Sequence, residues 1–276
     1  AVVTLQPVAA AELPVVNAAS EPTAEPVNDL AYILYTSGTT GKPKGVPQTR
    51  RNVQVHSDCY ANSIELSATD RLSLFSGYGF DAAIMDIYAG LLHGACICPI
   101  ELRITDTPLR NMSDRAVSVL HATPTVFRLL LREHAPLDAV RVVVLGGEEA
   151  TAADFADFKN RFTAEALLIN GLGPSESTTA LQYRAATDSE ALHSVLPVGS
   201  PLQGISVELR GTDNQPSAFC GELIIRSDRL APGYWQNPEA GQAAFPDQYT
   251  YRSGDNARYL PDGNLVFSGR HDGQIK

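Results

Sequence analysis

Between Leu30 and Ile169 the sequence repeats one texture: a short apolar run, closed by Gly, Ser or Pro, and then a segment in which apolar residues recur every three or four positions. The runs are Leu30 to Tyr35, Leu72 to Phe75, Ala95 to Ile100, Ala116 to His121, Val140 to Leu145 and Ala166 to Ile169. Several are too uniformly apolar for a sheet with one wet face and read instead as parallel strands buried on both sides. The segments Asp81 to His93, Pro124 to His134 and Ala152 to Phe162 carry helical spacing, and Thr151 stands where it can cap the last. Strand and helix in alternation predict an α/β layered subdomain with a mostly parallel sheet, its ligands held beyond the carboxyl ends of the strands.

After about Val195 the period falls to two. Ile205 to Arg210, Glu222 to Arg226 and Asn264 to Ser268 alternate between Gly- and Pro-bearing turns, which predicts a smaller antiparallel β-rich region. Residues 1–29 hold no sustained period and read as a linker or as part of an upstream subdomain. The expected division is therefore 1–29, an α/β subdomain over 30–194 and a β-rich subdomain over 195–276.

Charge and composition exclude some functions. With 21 Lys and Arg against 31 Asp and Glu the net charge is −10, and no basic run occurs, so nucleic acid is not an expected partner. No apolar stretch approaches the ~20 residues that span a bilayer, and the first residues resemble no secretory signal, so the expected setting is cytoplasmic and away from membranes. Cys59, Cys96, Cys98 and Cys220 form neither a disulfide framework nor metal knuckles, and are expected to be reduced and mostly buried.

The most informative stretch is Thr36-Ser37-Gly38-Thr39-Thr40-Gly41-Lys42-Pro43-Lys44-Gly45, directly after the first apolar run. Its glycines allow close backbone approach, its hydroxyls donate, and its lysines bring positive charge, a combination suited to wrapping a polyphosphate. It is not a Walker loop, because Gly38 and Gly41 stand too close together and Pro43 follows Lys42. The alternative is a flexible surface loop. A triphosphate approaching a chain of charge −10 also needs local neutralisation, which implies magnesium.

This loop resembles the signature of the adenylate-forming superfamily, and five further motifs follow in that superfamily's order. They are Phe80-Asp81-Ala82-Ala83; Asn170-Gly171-Leu172-Gly173-Pro174-Ser175-Glu176; Gly221-Glu222-Leu223 running to Gly233-Tyr234-Trp235; Tyr251-Arg252-Ser253-Gly254-Asp255; and Gly269-Arg270-His271-Asp272-Gly273-Gln274-Ile275-Lys276. The branch they most resemble is the adenylation domain of nonribosomal peptide synthetases. The resemblance implies that ATP activates an amino acid to an aminoacyl adenylate with release of pyrophosphate. The phosphopantetheine of a peptidyl carrier protein then takes the acyl group, among neighbouring synthetase domains. ATP and magnesium are the implied cofactors.

Residue by residue, the resemblance implies that Thr40, Lys44 and Glu176 serve the chemistry, with Glu176 also holding magnesium. Thr36, Ser37, Gly38, Thr39, Gly41, Lys44, Gly147, Asn170, Leu172, Asp255 and Arg270 would bind ATP. Asp255, read as part of a Gly-Asp turn between apolar strands, would take the ribose hydroxyls, and Leu172 stands where a Tyr usually packs on adenine. Asp81 would bind the α-amino group of the substrate, since a carboxylate in an apolar segment needs a cation. Asp86, five residues on, reads as a surface acid.

The side-chain pocket would be lined by Ala82, Met85, His121, Val144, Gly146, Gly171, Thr179 and Ala180. Gly146, Gly171 and Thr179 are similar to pockets for branched aliphatic side chains, whereas Ala180 and His121 replace residues that are often bulky, so a larger cavity for an apolar side chain is expected. His121 reads equally as a satisfied core histidine. Asp272 resembles the hinge residue about which a C-terminal lid turns, and that lid, with its catalytic lysine, would lie beyond Lys276. Two competing readings are an acyl- or aryl-CoA ligase of the same superfamily, which usually lacks the Asp81 carboxylate, and a non-catalytic nucleotide-binding module.

Overall fold

Strands that are apolar on both faces need cover on both faces, and the computed structural model, which describes residues 30–37, 43–102, 107–190 and 193–270, supplies it. In chain order the elements are β1 (Leu30–Thr36), β2 (Lys44–Thr49), α1 (Arg50–Ser63), β3 (Arg71–Leu74), α2 (Asp81–Leu92), β4 (Cys96–Pro99), α3 (Pro108–Asp114), β5 (Val119–Ala122), α4 (Pro124–Leu130), β6 (Val142–Gly146), α5 (Ala152–Arg161), β7 (Leu167–Leu172), β8 (Leu181–Ala186), β9 (Ser200–Pro201), β10 (Ser206–Arg210), β11 (Cys220–Arg226), α6 (Pro238–Ala244), β12 (Thr250–Tyr259) and β13 (Leu265–Arg270).

A seven-stranded sheet runs in the order β4-β3-β5-β6-β7-β8-β9, with the first five strands parallel and the last two antiparallel. On one face Leu120, Val143, Leu145 and Leu168 pack with Leu109 of α3, Phe127 of α4 and Phe158 of α5. On the other, Val119, Val142, Val144 and Ile169 pack with Tyr60 of α1 and Ala89 of α2. Helix α5 starts as expected. Thr151 Oγ1 accepts from the Asp154 amide at 3.4 Å, and the Asp154 carboxylate accepts in return from the Thr151 amide at 2.7 Å, a reciprocal cap.

The second sheet is antiparallel in the order β10-β11-β12-β13, with Leu209, Leu223, Ile225, Tyr251 and Leu265 in its core. The fold is thus mixed α/β, a mostly parallel sheet followed by an antiparallel β-rich sheet.

Four expectations are corrected. The run Leu30 to Tyr35 is not a buried parallel strand: among the described residues β1 pairs only with β2, antiparallel, and its far end, Leu34 to Thr36, lines a cleft. Asp255 lies within β12 and not in a turn. Gly254 at φ +70° makes a bulge, and the register of β12 slips against both β11 and β13. Asp86 is 1% exposed and hydrogen-bonded, hence no surface acid. Of the four cysteines, only Cys98 is buried, while Cys96 and Cys220 are exposed; among the described residues all four are free thiols.

Candidate functional site

The parallel strands deliver backbone and short side chains to one edge of the sheet: His121 near the end of β5, Gly146 and Gly147 after β6, and Gly171 to Gly173 after β7. Three cavities open there. The largest, about 1040 Å³, lies between the β1–β2 hairpin, the loop after β7 and the second sheet. A second of about 440 Å³ runs between α2 and the strand ends, and a third of about 260 Å³ lies between the loop after β7 and β13. All three share Gly147 and Gly173 as walls, so they form one branched cleft. At Gly173 the close approach is obligatory, since a Cβ would stand 2.0 Å from the Thr178 carbonyl oxygen.

The largest branch collects the polar residues. Thr36, Ser37 and Lys44 come from the two ends of the hairpin, whose connecting residues Gly38, Thr39, Thr40 and Gly41 lie outside the described residues, as does Asp272. Glu176, almost fully buried, accepts from the Tyr234 hydroxyl at 2.7 Å, and the Lys44 ammonium sits 4.9 Å above the Tyr234 ring. Burial and the Glu176 carboxylate push the Tyr234 phenol well above its ordinary range, so it remains the hydrogen-bond donor at any working pH. Tyr251 lines the same branch, and its hydroxyl is likewise raised, chiefly by burial and then by Glu176.

Asp81 is the first residue of α2 and lines both the largest and the second branch. Its carboxylate accepts from the Ser175 hydroxyl at 2.7 Å and from the Ala82 amide at 2.9 Å. These bonds fix its direction, and a cationic ligand group would complete it. In the second branch the structure brings together Asp81, Ala82, Met85, His121, Val144, Gly146, Gly171 and Thr179. Ala180 is absent from that wall; it is fully buried beside Leu172, Leu181 and Val198 in the core of the second sheet.

Gly147, Asn170, Leu172 and Arg270 line the third branch, with Leu172, Val198 and Phe267 giving it apolar walls. Asn170 is held by donation to the Pro197 carbonyl at 2.8 Å. Asp255 is fully buried and pairs with Arg270 Nη1 at 2.5 Å, so the two expected ribose contacts meet each other across β12 and β13.

Sequence reasoning gave no role to Tyr234, Tyr251, Phe267, Gln182 or the Asp86–Tyr60 pair, all of which line the cleft or brace residues that do. Tyr234 stands inside a quoted motif and could have been found there. Phe267 arrives from a distant strand with no local signal. No group of three or more His, Cys, Asp or Glu residues suited to a metal occurs among the described residues. Glu176 still fits magnesium, which commonly takes one or two protein carboxylates with substrate phosphates and water. No helix among the described residues is long and apolar enough to cross a membrane.

The family model described as "AMP-binding enzyme" matches residues 2–235. Tyrocidine synthase 2 of Brevibacillus parabrevis is 33% identical over 266 residues, covering 92% of this chain and 7% of that protein. Among solved structures, the Vibrio cholerae adenylation domain AlmE in complex with glycyl-adenosine-5'-phosphate superposes with a TM-score of 0.80 at 26% identity, over 91% of this chain and 49% of that one. Holo-PA1221, a nonribosomal peptide synthetase protein containing adenylation and PCP domains, gives a TM-score of 0.81 at 29% identity, over 98% of this chain and 49% of that one. The chain therefore spans a small part of the curated relative and about half of each solved structure.

Proposed function

The chain belongs to the AMP-binding enzyme family, and from that premise we propose that it activates an amino acid with ATP, giving an aminoacyl adenylate and pyrophosphate, for transfer to a carrier-protein phosphopantetheine in a multidomain synthetase. One observation carries this reading. Three branches of a single cleft meet at Gly147 and Gly173, and an acidic side chain stands on the wall between the two larger ones. An aminoacyl adenylate is a three-armed ligand with its reacting centre at the junction.

In this assignment the third branch takes the nucleoside, with Asn170 and Leu172 beside the base and Arg270 toward the ribose, backed by the buried Asp255, which itself lines none of the three branches. Thr36, Ser37 and Lys44 hold the phosphates, together with Gly38, Thr39, Thr40 and Gly41. Asp81 pins the substrate ammonium, which leaves the carboxylate facing the α-phosphate. A carboxylate oxygen then attacks the α-phosphorus, the bond to the pyrophosphate oxygen breaks in line, and the site contributes positioning and charge stabilisation. Magnesium, when bound, would neutralise the phosphate oxygens, and Glu176, oriented by Tyr234, would hold it. Asp272 is proposed as the hinge.

The glycyl adenylate held by AlmE and the carrier domain joined to PA1221 support the substrate and partner classes. The superfamily alternative, a CoA ligase acting on acids without an amino group, is disfavoured by the Asp81 carboxylate, oriented by two hydrogen bonds and open to the junction. The test is amino-acid-stimulated ATP–pyrophosphate exchange with the natural polypeptide that carries this chain. Stimulation by one or a few amino acids is expected, and a flat response across all of them would overturn the assignment.

A further inference from the structure

The side-chain branch has a polar end that an apolar substrate would leave unused. His121 is 9% exposed and lines the cavity, and its Nδ1 lies 2.8 Å from Asp86 Oδ1. The same carboxylate oxygen accepts from the Tyr60 hydroxyl at 3.2 Å, and Asp86 is 1% exposed. With Nδ1 committed to Asp86, the ring's second nitrogen, Nε2, meets no hydrogen-bond partner among the described residues, and neither does the side-chain amide of Gln182, which is 8% exposed on the same cavity wall. A histidine and a glutamine at that burial, both open to one cavity, offer polar atoms that water satisfies in the open cleft and that a ligand's polar tip can take over.

The charged groups facing this end decide which ligand. Burial works to lower the His121 pKa, but the Asp86 carboxylate outweighs it and raises the ring above its ordinary value, with Asp81 adding to the rise. With its Nδ1 proton directed at the Asp86 carboxylate, the ring offers Nε2 to the cavity, as a donor when the ring is protonated and as an acceptor when it is neutral. Among the described residues no Lys or Arg lines the branch, and the other acids there are Asp81, reserved for the ammonium, and Glu148. A carboxylate-tipped side chain would meet no unpaired cation, because Asp86 already balances His121. A cationic one would find only Glu148, an exposed acid that already accepts from the Thr125 amide at 3.0 Å. Met85, Val144, Val126 and Phe75 make the remaining wall apolar.

We propose that this cavity selects an amino acid whose side chain is apolar along its length and uncharged, and ends in a polar oxygen-bearing group such as a phenol or carboxamide, which hydrogen-bonds with His121 Nε2. This deepens the function proposed above and rests on it. It also revises the wholly apolar side chain expected from the sequence, which could not show that Asp86 lies behind His121. Asp86 and Tyr60 act as positioning residues that hold the ring's proton and direction.

The test compares amino acids of similar shape that differ at the tip, tyrosine with phenylalanine, asparagine with leucine and glutamine with methionine, in pyrophosphate exchange by the natural polypeptide. In at least one pair the oxygen-bearing member is expected to lead by about tenfold or more in kcat/KM. His121→Phe should abolish or invert that preference, while His121→Gln, which keeps a donor, should retain part of it. Asp86→Asn should weaken it with the KM for ATP as internal control, and thermal melting reports whether each variant is folded. Preference for the apolar member in every pair, or a preference that survives His121→Phe, would overturn the inference and leave amino-acid activation standing. Absence of stimulation by any amino acid would remove both.

Discussion

Replacing Asp81 by Asn removes one charge and almost no volume. The Ala82 amide still finds an oxygen acceptor at the place it now donates to, 2.9 Å away, and the Ser175 hydroxyl, now donating to Oδ2 at 2.7 Å, can rotate and accept from the new amide. The fold should therefore be little affected, and what disappears is the charge-assisted bond to a substrate ammonium, worth about 1.5–3 kcal/mol. At about 1.4 kcal/mol per factor of ten, the KM for the amino acid should rise about 10- to 150-fold. Asp81 is not a wall of the third branch, and in the largest branch, which it does line, losing an acid beside the phosphates would lower the KM for ATP if anything, so that constant should not rise by more than about twofold, comparable to the error of additivity between separate sites. Initial-rate pyrophosphate exchange at varied amino acid and at varied ATP separates the two constants. If the amino-acid dependence is unchanged while that for ATP moves, Asp81 does not hold the ammonium and the ligand has been placed backwards in the cleft.

Tyr234→Phe strips Glu176 of the donor at 2.7 Å, and the KM for magnesium-ATP should increase about tenfold, read in the same assay. Gly171→Ala places a Cβ 3.7 Å from Thr179 Cγ2, an ordinary contact, so melting should shift by no more than about 1 °C while preference moves to smaller side chains in an amino-acid screen. Asp154→Ala removes the returning half of the cap of α5, the bonds from the Thr151 amide and hydroxyl at 2.7 and 2.8 Å, about 1 kcal/mol, and the bonds from Arg128 at 2.6 and 2.7 Å, whose guanidinium is half exposed and recovers water. A total of about 2–3 kcal/mol, set against about 2.1 cal/mol/K per residue over 276 residues, lowers Tm by about 3–5 °C. Burial works to raise the Asp154 carboxyl, but Arg128 and Thr151 outweigh it and hold it below the usual carboxylate range. Its contribution is thus full above that range and lost as pH falls through the lowered value, so calorimetry should find the Tm gap between parent and variant closing in acid.

The parallel core was legible because burial on both faces writes itself into sequence: β5, β6 and β7 begin inside runs with few polar residues and extend one to three residues beyond them. Helix α1 was not, because the face it buries carries Ser57 and also Asn52 and His56, the last two held by side-chain bonds to Gln48 and to the carbonyls of Leu230 and Arg229. A polar buried face gives no hydrophobic period. Strand β12 was hidden by Gly254-Asp255, which has the composition of a turn and the conformation of a bulge. The ligand-facing residues could be read through their motifs, yet Asp86 could not, since nothing near it in sequence announces a histidine 35 positions away.

Helix α2 carries Asp81 at its first position and Asp86 little more than one turn later. Five residues of α-helix advance about 7.5 Å along the axis, so one rigid rod fixes both the point where the backbone nitrogen is held and the point behind the side chain's far tip. On the proposed binding mode the helix acts as a gauge of reach: a substrate one carbon too short would fail to touch the imidazole, and one too long would be forced out of register at the phosphate. Relocating the second acid by a single helical turn would recalibrate the length accepted without altering how the nucleotide is held.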